Sequence, residues 1–178
     1  MELSEVVASR RSIRAYKDQL VEREKVEEII SFLQNAPSWK NSQTGRYYIA
    51  FSKDKVESVR KNCLPEFNQN NSKNAPVLIV TAFETKRSGF NMDGTAVNEI
   101  GDEWGAYDLG LQNQLLLLKA RELGLDTLIM GIRDGAALRE EFGIPDSQEV
   151  VAVISLGYRD IEPEMPKRKD ISDIAKFF

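Results

Sequence analysis

The 178-residue chain is expected to adopt an α+β or α/β fold, on three observations. Helical and strand patterns are interspersed along it. Residues 77–83 are apolar at almost every position, as a strand covered on both faces requires. Residues 103–123 form the longest helical pattern, with apolar side chains around nearly its whole circumference. The length suits a single domain over residues 1–178.

The elements follow in order. Leu3, Val6 and Val7 predict a short first helix with Ser4 as its N-cap, running into Arg10-Arg11-Ser12. Val26, Ile29, Ile30 and Leu33 recur at helical spacing, and Pro37 disfavours helical geometry at Ala36. Tyr47, Tyr48, Ile49 and Phe51 predict a strand over 46–52, and Val56 and Val59 a short helix after Asp54. Residues 68–74 are polar and read as irregular. Pro76 then opens the buried strand, and residues 84–101 read as a loop long enough to wall a site. The apolar girth of helix 103–123 asks for cover from the sheet on one side and a second subunit on the other. Gly124 stops that helix. A strand over 127–130, a helix over 136–142 and a strand over 150–156 follow, then a charged tail from about 159 to Phe177-Phe178.

Composition excludes much of enzyme chemistry. There are 24 Lys plus Arg against 28 Asp plus Glu, a net charge of -4, so nucleic acid is not an expected partner. With no histidine there is no Ser-His-Asp or Cys-His nucleophile system and no HExxH zinc site. One cysteine leaves no internal disulfide or iron–sulfur cluster, and no metal site is expected. Cys63 reads as an ordinary thiol. An enzyme with this composition would draw its hard chemistry from an organic cofactor. The start, Met1-Glu2-Leu3-Ser4-Glu5, lacks a secretory pattern and no apolar run is membrane-length, so a cytoplasmic location without a membrane partner is expected.

Three constellations could carry chemistry. Arg10-Arg11-Ser12-Ile13-Arg14 offers three guanidiniums and a hydroxyl suited to a phosphate monoester; alone, it reads equally as a solvated turn. Lys167-Arg168-Lys169 alone reads as a solvated run, but jointly the two clusters read as one anion site. Ala36-Pro37-Ser38-Trp39-Lys40-Asn41-Ser42-Gln43 carries amides able to read a heterocycle edge, or is a structural loop. Gly131, after a strand ending at Met130, lets backbone N–H groups approach a flat ligand.

In this order the features resemble the nitroreductase family of FMN-dependent oxidoreductases over nearly the whole chain. The resemblance is carried by R-R-S-I-R, A-P-S-x-x-N-x-Q, N-A-P-V, the run W-G-A-Y-D-L-G-L-Q-N-Q-L-L-L-L-K-A-R-E-L-G-L-D-T, a late Gly-Tyr and the basic cluster. It implies an α+β sandwich, a mixed sheet flanked by helices, in an intertwined homodimer with FMN sites built from both subunits. It implies that Arg10 and Ser12, within the Arg10–Arg14 cluster that also holds Arg11, bind the FMN phosphate with Arg168, helped by Lys167. Arg14 would lie at the flavin N1–O2 edge, where a cation favours the reduced ring. Ser38, Asn41 and Gln43 would reach the flavin from the other subunit, Asn68 would contact the pyrimidine ring, and Gly131 with the Met130 backbone would face N5. The tail from about 159 to 178 would contribute to the dimer and to the phosphate site. Thr44-Gly45 replace the Pro-Trp of many members, and Met130 stands where larger members carry an acidic residue.

Two functions follow from the resemblance. One is an NAD(P)H oxidoreductase, in which NADH or NADPH reduces FMN and a small oxidant such as a nitroaromatic or quinone then takes the electrons. The other is a flavin-binding sensor without steady-state turnover. The open flavin face of the family favours the enzyme.

Overall fold

The computed structural model describes residues 2–178. Its elements are α1 (Leu3–Ser9), α2 (Arg23–Leu33), a 3₁₀ turn (Trp39–Asn41), β1 (Gly45–Ala50), α3 (Lys53–Cys63), α4 (Glu66–Asn71) and β2 (Val77–Glu84). Then come α5 (Glu103–Glu122), β3 (Asp126–Met130), α6 (Gly135–Phe142), β4 (Gln148–Gly157) and α7 (Ile171–Ile174). The strands form one sheet in the order β1-β2-β4-β3, and every neighbouring pair is antiparallel. The mixed character expected of the sheet is confined to an isolated parallel bridge between Ser12 and Thr127.

Strand alternation builds two cores from one sheet. Leu78, Val80 and Ala82 of β2 point toward α3 and α6, meeting Val56, Val59, Cys63 and Leu138. Val77 and Ile79 point the other way, toward Val26, Ile29 and Leu33 of α2 and Leu116, Leu117 and Ala120 of α5. A strand with helices on both faces has no solvent side, which is why β2 reads as an unbroken apolar run. The result is the expected α+β sandwich.

Helix α5 is more differentiated than its apolar girth suggests. Its inward face buries Asp108, Gln112 and Asn113 beside Leu109, Leu116 and Leu117. Its outward face leaves Tyr107 59% exposed, with Leu111, Leu115 and Leu118 half-buried. The chain by itself therefore covers one side of the helix. Gly124, with φ of 79°, takes the left-handed turn that ends it, as expected.

Three local expectations are corrected. The N-cap of α1 is Glu2, not Ser4: the Glu5 carboxylate reaches back to accept from the Glu2 N–H at 3.0 Å, closing a capping box. Helix α2 ends at Leu33, before the Pro37 boundary, and residues 34–36 continue as turn. Residues 66–71, read in part as irregular, form α4, because Pro65 opens the helix and Asn68 and Ser72 turn inward despite their polarity. Among the described residues no helix is long and apolar enough to cross a membrane.

Candidate functional site

The cationic segment begins where α1 ends. Arg10 is extended, with φ of -66° and ψ of 131°, and Ser12 bridges Thr127 at the start of β3. The Ile13 N–H donates to the Thr127 carbonyl at 3.0 Å, and Ile13 itself is fully buried with Tyr16 and Ala75. Period-two alternation around this buried isoleucine puts Ser12 and Arg14 on the exposed side, with Arg10 half-buried. The side chains of Arg10, Ser12 and Arg14 form no hydrogen bond or ion pair among the described residues. Arg11 is differently engaged. Its guanidinium turns back onto the end of α1, donating to the Ala8 carbonyl at 2.7 Å and the Arg10 carbonyl at 2.8 Å. Its Nε is buried without a partner among the described residues. Tyr16 closes the segment, its hydroxyl 2.8 Å from the Ser155 hydroxyl. Burial pushes this phenol well above its usual range, against the Ser155 hydrogen bond, so it stays protonated.

The loop at 38–43 is held in an unusual backbone shape. Lys40, Asn41 and Gln43 have φ of 46°, 55° and 49°, left-handed values that L side chains adopt at a cost. The loop is anchored from beneath. The Ser38 hydroxyl accepts from the Gln43 N–H at 3.0 Å, and Asp108 of α5 accepts from the Trp39 N–H at 2.9 Å. Asp108 also accepts from the Ser88 hydroxyl at 2.7 Å, and Ser88 in turn meets the Ser42 hydroxyl at 2.8 Å. The Asn41 and Gln43 side chains are left exposed and without partners among the described residues. Thr44 and Gly45, which replace Pro-Trp, let β1 start here with Thr44 buried.

A third group gathers at the carboxyl end of β3. The Met130 side chain is core, packed with Leu128 and Leu138, and the whole residue is buried, so exposure begins at Gly131. Gly131 is exposed, and a Cβ built on it would meet nothing within 4 Å. Asn68 is 4% exposed, and its amide donates to the Ile132 carbonyl at 2.8 Å. It thus braces the Gly131 turn from behind. Ser12 pairs at Thr127, and four residues of extended strand separate that point from Gly131 by about 13 Å. The arrangement suits a ligand with an anionic head and a flat body.

The tail residues Lys167 and Arg168 lie on exposed coil before α7, and no bond joins them to Arg10 or Ser12 among the described residues. None of the candidate residues lines the cavity of about 600 Å³ between α3, α4 and residues 18–20. Burial pushes the Cys63 thiol up to about 11, which makes it inert at neutral pH. No group of His, Cys, Asp and Glu among the described residues could hold a metal ion.

Two acids within the run 104–127 support these groups, though neither was singled out among the candidate residues. Asp108 holds the 38–43 loop, and Asp126 ties α1 to the tail. Asp108 could have been noticed as an acid within the apolar helix, on one stripe with Trp104, Gln112 and Leu115 at helical spacing. Asp126 closes the same run five residues after its partner Arg121, but its other partner, Arg159, lies 33 positions away.

Residues 7–158 match the Nitroreductase family, and the chain belongs to that family. A protein of Archaeoglobus fulgidus, provisionally named as an NADH dehydrogenase/NAD(P)H nitroreductase, is 28% identical, with 95% of this chain and 92% of that protein covered. The 4-nitrobenzoate reductase of Pseudomonas putida is 26% identical, with 87% of this chain and 84% of that protein covered. The solved structure of an FMN-dependent nitroreductase from Clostridium difficile R20291 has a TM-score of 0.70 and 29% identity, covering 95% of this chain and 92% of that one.

Proposed function

We propose that this protein is an FMN-dependent oxidoreductase that takes hydride from NADH or NADPH and passes it to a small oxidant, a nitroaromatic or a quinone, in a ping-pong cycle. The observation that carries the proposal is the array at β3: unpaired Arg10, Ser12 and Arg14 at one end, and the open Gly131 surface at the other. The relatives' names, an NAD(P)H nitroreductase, a 4-nitrobenzoate reductase and an FMN-dependent nitroreductase, support the same chemistry.

When bound, FMN supplies the hydride acceptor and donor at its N5. The chain's residues bind and orient it. Arg10 and Ser12, with Arg168 and Lys167 from the tail, hold the phosphate by charge-assisted hydrogen bonds, and Arg11 stiffens the backbone between them. Arg14 sets its charge at the N1–O2 edge. Ser38, Asn41 and Gln43 come from a second copy, with Asp108 keeping their loop in place. Asn68 fixes the turn at which Gly131 and the Met130 backbone lie against the ring. Hydride transfer needs no histidine, and the chain has none.

The second copy is part of the proposal. The exposed Tyr107 face of α5 adjoins a groove of about 140 Å³ lined by Leu3, Val6, Phe32, Leu115 and Leu118. Exposed Ile171, Ile174, Phe177 and Phe178 supply a tail suited to cover such a groove on a partner. The test is the identity of the bound flavin. Protein purified under mild conditions should release FMN on denaturation; a colourless protein that fails to take up added FMN would refute the proposal.

A further inference from the structure

Asp126 opens β3 with its side chain fully buried, an arrangement that is costly unless the carboxylate is paired. It is paired with two arginines. Arg159 grips it with two of its three guanidinium nitrogens, Nε at 2.6 Å and Nη2 at 2.5 Å, and Arg121 adds a contact at 3.1 Å. Both guanidiniums then reach the same residue. Arg159 donates to the Ser9 carbonyl at 3.1 Å, and Arg121 donates to the Ser9 hydroxyl at 3.1 Å.

Ser9 is the last residue of α1 and immediately precedes Arg10. The next residue of β3, Thr127, bridges Ser12 and accepts from the Ile13 N–H. The dipeptide Asp126-Thr127 therefore fixes the chain on both sides of Arg10 and Arg11. The same arginine roots the tail. Tyr16 bridges Arg159, the Lys17 N–H donates to the Tyr158 carbonyl at 2.9 Å, and the Asp160 N–H donates to the Ala15 carbonyl at 3.0 Å. Beyond that root lie Lys167 and Arg168.

We propose that Asp126 is a positioning residue for the FMN phosphate, acting through Arg159 and Arg121 to lock the Ser9–Ser12 backbone and the root of the tail into one frame. This rests on the FMN reading above and explains how donors from opposite ends of the chain come to serve one anion. The carboxylate does not face the phosphate itself, because its charge is committed to the two guanidiniums. Ordering the segment before the ligand arrives removes a cost that binding would otherwise carry.

The full-length protein stripped of flavin is titrated with FMN and, separately, with riboflavin, which lacks the phosphate. Arg159→Gln should raise the FMN dissociation constant about tenfold or more, with riboflavin changed less than about threefold. Asp126→Asn should show the same selectivity, more strongly. Arg159→Gln is the safer variant for folding, since it leaves the Arg121–Asp126 pair intact, and thermal unfolding of each flavin-free variant monitors its fold. Equal losses for FMN and riboflavin, or unchanged FMN affinity in folded Arg159→Gln, would overturn the positioning role. Wild-type protein that binds riboflavin and FMN equally, or neither, would overturn the phosphate site itself.

Discussion

Replacing Asp108 by alanine removes the support of the 38–43 loop, and the structure sets the size of the effect. The carboxylate is 3% exposed and accepts two hydrogen bonds, from the Trp39 N–H at 2.9 Å and the Ser88 hydroxyl at 2.7 Å. Hydrogen bonds to a charged group contribute about 1.5–3 kcal/mol each. Ser88 keeps its Ser42 partner, so only the Trp39 N–H loses its sole acceptor. The left-handed residues Lys40, Asn41 and Gln43 are then free to relax, which returns part of the loss. The net expectation for Asp108→Ala is a destabilisation of about 3 kcal/mol, and less for Asp108→Asn, which keeps an acceptor of the same shape. Urea unfolding followed by tryptophan fluorescence, at one fixed protein concentration, measures it. With the loop proposed to serve the ring rather than the phosphate, FMN and riboflavin should both bind more weakly, by similar factors. A loss below about 1 kcal/mol, or an effect on FMN alone, would refute this reasoning.

Three further outcomes are expected. Arg14→Gln should leave FMN bound but lower its midpoint potential by about 20–40 mV in a redox-dye titration, after solvent screening of an exposed charge; an unchanged potential would remove Arg14 from the flavin edge. Gly131→Val should leave the flavin-free protein within about 0.5 kcal/mol of wild type, since a Cβ there meets nothing, while flavin titration shows at least a tenfold weaker ring. Light scattering of the flavin-bound protein should give twice the 20.2 kDa chain mass, and a monodisperse monomer would contradict the shared site.

The parts of the fold that the sequence made legible are those where one physical demand dominates. β2 needs apolar residues on both faces, and its run from Val77 announces this directly. α5 announced its length, and Gly124 its end. Helix α4 was hidden because Asn68, Asn70 and Asn71 lack an apolar stripe; Pro65 and buried polar contacts sustain it instead. The cap of α1 lay in Glu2 and Glu5, an acidic pair that is less conspicuous than Ser4. For the site, the pentapeptide showed the cluster of three guanidiniums and a hydroxyl, but the burial of Ile13 that sorts them by face came from the structure. The inward turn of Arg11 onto α1 was not, because it depends on where the helix ends. Asp108 meets Trp39 from 69 positions away and Asp126 meets Arg159 from 33, and no local pattern encodes these two pairings, although Arg121 lies only five residues from Asp126. The antiparallel sheet follows likewise from strand order, which short motifs do not carry.

In the proposed cycle, reducing equivalents pass from a nicotinamide nucleotide to an oxidant through FMN held by this chain. Double-mixing stopped flow under anaerobic conditions addresses it most directly. Mixing the FMN-bound protein with NADH or NADPH should bleach the flavin absorbance, and a second mix with a quinone or a nitroaromatic should restore it within the turnover time. Flavin that stays oxidised with both nucleotides, or once reduced is not reoxidised by any member of the oxidant panel, would contradict the account and leave a flavin-binding protein without turnover.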